Sequence, residues 1–331
     1  MEPSVPTHLV TVTKDDFCGS FVVVLHLIGY TYSVDALSPP KPAWLRLRLP
    51  PGDEAGRRTA LILERQGLRT VCDEARCPNK GECWNAGTAA FMLMGDLCTR
   101  NCRFCAVASS RQGRELRPDE GAAITRAARE LELSYVVLTS VDRDDLDDRG
   151  AGHFASCVTA LKAGIPGIKI ELLTPDYTQA ELAGIAGAAP HVLAHNVETV
   201  RAFQWVRASR ASFDASLATL RAAKALGIKV TKSSLLLGLG ETGNAVLSAM
   251  DELREAGVDI LVMGQYLRPS KKQIPVAEYI SPAQFDAYAE EGRNRGFASV
   301  VASPFARTSY HAAAAAREIL GEEAAGGRHA D

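Results

Sequence analysis

With 331 residues, 47% of them hydrophobic and 23% charged, the chain is globular and long enough for one large domain or two small ones. A formal net charge of -2 supplies no global basic field, so no nucleic-acid partner is expected. The run FVVVLHLIGY is too short to span a bilayer, and the N-terminus MEPSVPTHLVTVTKDDFC carries acids but no basic n-region, so a cytoplasmic protein with no membrane contact is expected.

Residues 1–40 differ from the rest. They hold one apolar stretch, a lone Cys18 and the proline-rich exit SPPKP. An extra strand, a disordered arm and sequence upstream of the true start all remain open. A helix is predicted near 59–66. Six of the eight cysteines then fall between positions 72 and 105. Cys72, Cys77 and Cys83 form a C-x4-C-x5-C run, and Cys98, Cys102 and Cys105 a C-x3-C-x2-C run. Such short, unequal gaps let a loop wrap a compact inorganic centre. Disulfides are disfavoured because a chain of this length needs no staples. Structural zinc closes with four ligands and favours paired C-x2-C knuckles, and each triplet is one ligand short. Cubane iron–sulfur clusters accept thiolates at short spacings, and three cysteines leave one iron open to a reactant. Cys18 and Cys157 have no cysteine neighbours and read as buried or incidental thiols. Arg100, Arg103, Arg111, Arg114 and Arg117 cluster around and after the second triplet, either as a solvated loop face or as a docking patch for an acidic partner.

From 89 onward strand-like and helix-like segments alternate. Strands are predicted at 89–95, 135–139, 168–173, 191–196, 228–237 and 258–264. Helices are predicted at 119–133, 154–163, 178–186, 214–226 and 245–256, with proline or glycine at most junctions. Leu217, Leu220, Ala223 and Leu226 form one stripe, as a helix packed on a sheet requires. The fold class is therefore α/β with a parallel sheet and right-handed crossovers. A curved or closed barrel explains the repeat best, with an open doubly wound sheet as the alternative. Either gathers functional groups at the C-terminal ends of the strands, where the second triplet lies.

Other polar groups recur at those ends. They are the segment 139–145 with Ser140 and Asp142, then Glu171, then His195 to Thr199, then Lys232, and last Gly238, Gly240 and Glu241. Each alone is explained by a cap or a turn; Thr242 or Glu241 could start a helix. His195 is assigned no catalytic role. Near the C-terminus, Pro304 to His311 reads as a turn before an alanine-rich helix at 312–320, with Ser309 as its N-cap.

The segment CTRNCRFC resembles the radical S-adenosylmethionine (SAM) superfamily signature C-x3-C-x-aromatic-C, with Phe104 as the aromatic residue. From about Lys41 onward, CDEARCPNKGECW, GDLCTRNCRFC, TSVDRDDL, ELLTPDY, HNVET, GLGET and GQYLRPS together resemble the lipoyl synthase family. The resemblance implies a partial (β/α)6 TIM-like barrel over 89–303. An N-terminal extension over 41–88 and a C-terminal extension over 304–331 flank it, beyond the arm 1–40. It implies two 4Fe-4S clusters. Cys98, Cys102 and Cys105 would hold the cluster that binds SAM. Cys72, Cys77 and Cys83 would hold an auxiliary cluster, with the second serine of an R-S-S-Y motif as fourth ligand. Here that motif reads Arg307-Thr308-Ser309-Tyr310, which points to Ser309. Thr308 stands where serine is usual, and SPFA precedes the motif where GPLV is usual, which puts the local packing in question. Ser140, Glu171, Lys232 and the Gly238-to-Glu241 segment match motifs lining the barrel mouth; with Phe104 of the signature, Ser140, Glu171, Lys232, Gly238 and Gly240 are expected around SAM.

The implied reaction inserts sulfur at carbons six and eight of an octanoyl-lysine. Two SAM are consumed per lipoyl group, and the auxiliary cluster is the sulfur donor. Implied partners are the octanoylated lipoyl domain of 2-oxoacid dehydrogenase complexes or the glycine-cleavage H protein. A low-potential donor of ferredoxin or flavodoxin type and an iron–sulfur cluster carrier are also implied. A biotin-synthase-like sulfurtransferase would lack the upstream triplet and the distal serine motif. A non-catalytic iron–sulfur carrier would close its clusters with four cysteines.

Overall fold

The computed structural model describes residues 11–13, 22–27, 30–33, 38–46, 54–86 and 89–321; Cys18 and residues 322–331 lie outside the described residues. Within the arm, β1 (Thr11–Thr13), β2 (Val22–Leu27) and β3 (Tyr30–Ser33) pair as an antiparallel meander. In the extension, α1 (Glu54–Arg65) buries Thr59, Ile62 and Leu63 and ends before Gly67, whose φ of 61° suits a helix terminus. A short strand β4 (Arg69–Thr70) and two short helices, α2 (Val71–Glu74) and α3 (Lys80–Asn85), follow; α2 carries Cys72, α3 carries Cys83, and Cys77 lies in the connection between them.

The barrel begins with β5 (Ala90–Leu93). The second triplet follows, its loop pinched by the small pair β6 (Leu97–Cys98) and β7 (Ala108–Ser109). Strand–helix units then repeat. They are α4 (Glu120–Glu130), β8 (Tyr135–Ser140), α5 (Ala151–Gly164), β9 (Lys169–Leu173), α6 (Gln179–Gly187) and β10 (Val192–Ala194). Next come a 3-10 segment (Arg201–Val206), α7 (Phe213–Ala225), β11 (Val230–Leu237), α8 (Gly243–Glu255) and β12 (Ile260–Gln265). Last are α9 (Pro282–Asn294), β13 (Ser299–Ser303) and α10 (Ala312–Leu320).

The sheet runs β13-β12-β11-β10-β9-β8-β5-β4, and every pairing except β4 with β5 is parallel. Parallel neighbours need crossovers, and covering helices turn the central strands into continuous apolar runs. All six residues of β12 are buried. The six expected strands are all present, and β13 adds a seventh that the patterning did not pick out. It is five residues long, SVVAS, and half-buried throughout. Among the described residues no ladder joins β13 to β4, so the barrel is partial and its closed form is excluded.

Local capping agrees with the sequence. Thr178 and Glu181 form a capping box, and the hydroxyls of Ser212, Thr242 and Ser281 accept the N–H three residues on. The expected stripe of α7 is buried at Leu217, Leu220 and Ala223. Because α10 begins at Ala312, its flanking position is His311, so Ser309 is not its N-cap, contrary to expectation. Between α4 and α5, His153 Nε2 lies 2.6 Å from Glu120 Oε2, and Cys157 is fully buried beside them.

The turn after β11 is tight. Gly238 and Gly240 have φ of 97° and 111°, and the Glu241 carboxylate accepts the N–H groups of Gly238 and Leu239. A Cβ on Gly238 would sit 2.2 Å from Gln265 Nε2 and 2.3 Å from Glu278 O. Gly238→Ala is expected to cost about 2–5 kcal/mol, combining left-handed strain with overpacking. Gly167→Ala, at φ 81° in open space, should cost only the strain, roughly 1 kcal/mol. Thermal unfolding of the two variants side by side checks this.

Candidate active site

The second triplet is held from three sides. Thr99 N and Thr99 Oγ1 donate to Asp142 O, both at 2.9 Å, and Asp144 N donates back to Thr99 Oγ1 at 2.9 Å. Arg100, inside the C-x3-C gap, is buried. It donates from Nε and Nη2 to the two oxygens of Asp144 at 2.9 Å each, lies 3.4 Å from Asp142, and also contacts Asp176. Its guanidinium thus ties the cysteine loop to the ends of β8 and β9. On the far side Arg103 N donates to Val206 O at 2.7 Å. Ile274 N donates to Arg103 O at 3.1 Å, and Gln273 Nε2 to Cys105 O at 2.9 Å.

Two backbone N–H groups point at sulfur: Arg100 N lies 3.4 Å from Cys98 Sγ and Ala208 N 3.2 Å from Cys102 Sγ. Burial pushes the thiols of Cys98 and Cys102 up to about 12 and that of Cys105 up to about 11. Asp142 adds to the rise at Cys98, and the thiols raise one another. Three crowded thiols that resist ionising, yet receive N–H donors suited to thiolates, match a site completed by a metal that displaces their protons.

The first triplet is clasped to the C-terminal motif. Asn79 Nδ2 donates to Phe305 O at 2.8 Å, and Tyr310 OH to Glu82 Oε1 at 2.8 Å. Thr308 Oγ1 lies 3.1 Å from both Asn196 Oδ1 and Ser234 Oγ, so this residue ties the motif to the segment just after β10 and to the middle of β11. Threonine in place of serine therefore leaves the hydroxyl in use. Among the described residues Arg307 has no carboxylate within ion-pair distance. Its Nη1 donates to Ala306 O at 2.6 Å. Burial pushes its guanidinium down, and Cys77 is the charge that opposes this. A cation with no carboxylate beside a cysteine triplet suits the negative charge of an iron–thiolate centre.

Both triplets and Ser309 line one cavity of about 930 Å³. Phe104, Ser140, Asp142, Asn196, Glu198, Arg207, Ser234 and Tyr266 share its wall. Among the described residues Ser140 Oγ is buried without a hydrogen-bond partner. Glu198 has a φ of 65°, strained for a non-glycine residue, and receives Asn196 Nδ2 at 3.2 Å. Burial pushes the carboxyls of Asp142 and Glu198 up. A bound cation would relieve both, and a ligand hydroxyl or amine would satisfy Ser140.

Residues 92–253 match the radical SAM superfamily. The chain is 48% identical over 277 residues to the lipoyl synthase of Methanocella arvoryzae, covering 82% of this chain and 93% of that protein. The mitochondrial lipoyl synthase of Oryza sativa subsp. indica is 44% identical over 297 residues, 86% of this chain and 78% of that one. In fold, the FeFe-hydrogenase maturase HydG from Carboxydothermus hydrogenoformans superposes with a TM-score of 0.55 at 15% identity, covering 83% of this chain and 65% of that one. The chain belongs to the lipoyl synthase family.

Membership in the lipoyl synthase family brings a 4Fe-4S cluster and SAM, and the second triplet with its cavity wall fits both. The structure sorts the remaining expected cofactor contacts. Phe104 and Ser140 line the cavity; Glu171, Lys232, Gly238 and Gly240 do not. Lys232 Nζ instead lies 3.0 and 3.2 Å from the two Glu171 oxygens, and Tyr135 OH donates to Glu171 Oε2 at 2.7 Å. Both charged residues are fully buried, so their charges are consumed inside the barrel. The glycines shape the turn described above. His195 is structural: its ring nitrogens lie 2.9 Å from Thr174 O and 2.8 Å from Ser216 Oγ, and burial pushes it down to about 4. From sequence Asn196 and Glu198 entered only as part of the strand-end segment 195–199, Arg100 only as one of the clustered arginines and Arg307 only as the first residue of the motif bearing Ser309; none was assigned a role, although Arg100's place between two cysteines was a usable signal. Among the described residues no helix is long and apolar enough to cross a membrane.

Proposed function

We propose that the chain inserts two sulfur atoms, at carbons six and eight, into an octanoyl chain amide-linked to a lysine of a lipoyl carrier protein. The observation that carries this is the meeting of both cysteine triplets and Ser309 on one cavity wall. Cys98, Cys102 and Cys105 hold one 4Fe-4S cluster, and Cys72, Cys77, Cys83 and Ser309 hold a second. When bound, the first cluster with SAM supplies a carbon-centred radical and the second supplies sulfide.

The rest is the work of the chain's own residues. Arg100 fixes the loop on which the first three thiolates stand, through three aspartates on two strand ends. Asp142 and Glu198 present negative charge to the cationic cofactor, and Ser140 takes one of its polar groups. Thr308 and Asn79 pin the segment bearing Ser309 to the barrel and to the first triplet. Arg307 compensates the charge of the second thiolate set. The cavity is large enough for a cofactor and an acyl chain together. Two SAM are used per lipoyl group. A 2-oxoacid dehydrogenase lipoyl domain or an H protein delivers the chain, a ferredoxin or flavodoxin supplies electrons, and an iron–sulfur carrier rebuilds the spent cluster.

Anaerobic incubation of the protein carrying both clusters with SAM, dithionite and an octanoyl-lysine peptide tests the reading by mass spectrometry. A mass gain corresponding to two sulfurs is expected. SAM cleavage with no sulfur gained by the peptide would overturn it.

A further inference from the structure

The outer face of the second cysteine loop is basic and carries an exposed aromatic residue. Trp205, in the 3-10 segment Arg201–Val206, is 40% exposed, with the Arg103 guanidinium 5.2 Å from its ring centre. Its segment is bonded to the cysteine loop through Arg103 N to Val206 O, and Ala208 N, two residues past the segment, donates to Cys102 Sγ. On the other flank, the loop that bonds to Arg103 O and Cys105 O displays Lys271 and Lys272, both exposed. Arg210 adds a fourth cation, its side chain 70% exposed.

Local acids do not cancel this charge. Asp214 and Glu252 are both held by Arg201, and Asp144 is held by Arg100 with Arg210 at 3.7 Å. Among the described residues Arg103, Lys271 and Lys272 have no carboxylate within ion-pair distance. None of Arg103, Trp205, Arg210, Lys271 and Lys272 lines the cavity. These side chains therefore stand off the cavity wall, yet one hydrogen bond separates the neighbouring backbone at Ala208 from a cysteine sulfur.

We propose that this face docks a small one-electron carrier protein through a complementary acidic surface. The proposal rests on the reading that Cys98, Cys102 and Cys105 hold a redox cluster. Each docking event oxidises the carrier by one electron and reduces the cluster by one. Electron transfer falls off steeply with distance, so a donor gains most where the cluster ligands stand closest to solvent. Trp205 supplies a rigid anchor of the kind enriched at binding hot spots, and the cations steer encounter.

The test compares the protein carrying its clusters with Trp205→Ala and with Lys271→Glu/Lys272→Glu, using a reduced flavodoxin or dithionite as electron source. With flavodoxin, each variant should show about a tenfold higher apparent KM, as expected for loss of a hot-spot anchor or reversal of a charged rim. Calorimetric Kd for oxidised flavodoxin should weaken in parallel, and wild-type affinity should fall as salt rises. With dithionite, SAM cleavage should equal wild type. An unchanged flavodoxin KM in both variants overturns the proposal. So does equal loss with dithionite, which would mean damage to the cluster loop. A raised KM for the octanoylated carrier domain alone would assign the surface to that partner instead. Failure of the wild-type protein to cleave SAM with dithionite would strike the redox-cluster reading itself.

Discussion

Cys102→Ala is expected to abolish SAM cleavage while the cluster on the first triplet stays in place. Cys102 is the thiol whose sulfur receives Ala208 N–H, and its neighbours Cys98 and Cys105 share the same buried, ionisation-resistant setting. Removing one of three ligands from a centre that already keeps an open iron leaves too few thiolates to hold it. Formation of 5′-deoxyadenosine should drop by at least about a thousandfold, roughly 4 kcal/mol in transition-state terms. Iron and sulfide analysis should show one cluster where the wild-type protein shows two. Cys77→Ala should behave the other way, cleaving SAM and delivering no sulfur. Near-normal cleavage in Cys102→Ala would remove this triplet from the chemistry.

Ser309→Cys is expected to keep both clusters and to lose sulfur insertion. Ser309 lines the cavity with Cys72, Cys77 and Cys83, and its neighbours place it there. Tyr310 bonds to Glu82, Thr308 to Asn196 and Ser234, and the charge of Cys77 reaches Arg307. A serine oxygen is a harder donor than thiolate and binds a soft iron–sulfur centre less firmly. On the proposed reading Ser309 would be the ligand that yields when sulfide is to be delivered. A fourth thiolate would lock the cluster. The expected loss in sulfur insertion is at least about tenfold, or 1.4 kcal/mol of transition-state stabilisation, with iron content and SAM cleavage retained. Mass spectrometry of the octanoyl-lysine peptide gives the first value and chromatography of 5′-deoxyadenosine the second. Unchanged sulfur insertion would show that release at this corner does not limit the reaction.

Much of the barrel was legible because its helices and strands announce themselves locally. The α7 stripe at Leu217, Leu220 and Ala223 has helical spacing, and the six expected strands are rich in apolar residues, with glycine or proline at most junctions. The half-buried β13 (SVVAS), whose apolar run is Val300 to Ala302, was not picked out. The site was legible at the cysteines, whose spacing is a local property. It was less so at Glu171 and Lys232. Each stands in a strand, and nothing in one strand tells that its charge will meet the other across the sheet.

The sequence by itself determined the two thiolate sets, the order of strand–helix units and hence the end of the sheet where chemistry gathers. Those follow from ligand spacing and from apolar periodicity, which act over a few residues. Only the tertiary structure decided which polar groups face the cavity and which are spent on one another. It alone brought the segment of the first triplet, in the extension before the barrel, against the segment that carries Ser309, more than two hundred residues later. Contacts between residues so distant in the chain arise from packing, through bonds such as Asn79 to Phe305 and Thr308 to Ser234. No local pattern encodes them, because each partner's side chain would satisfy equally well a cap, a turn or water.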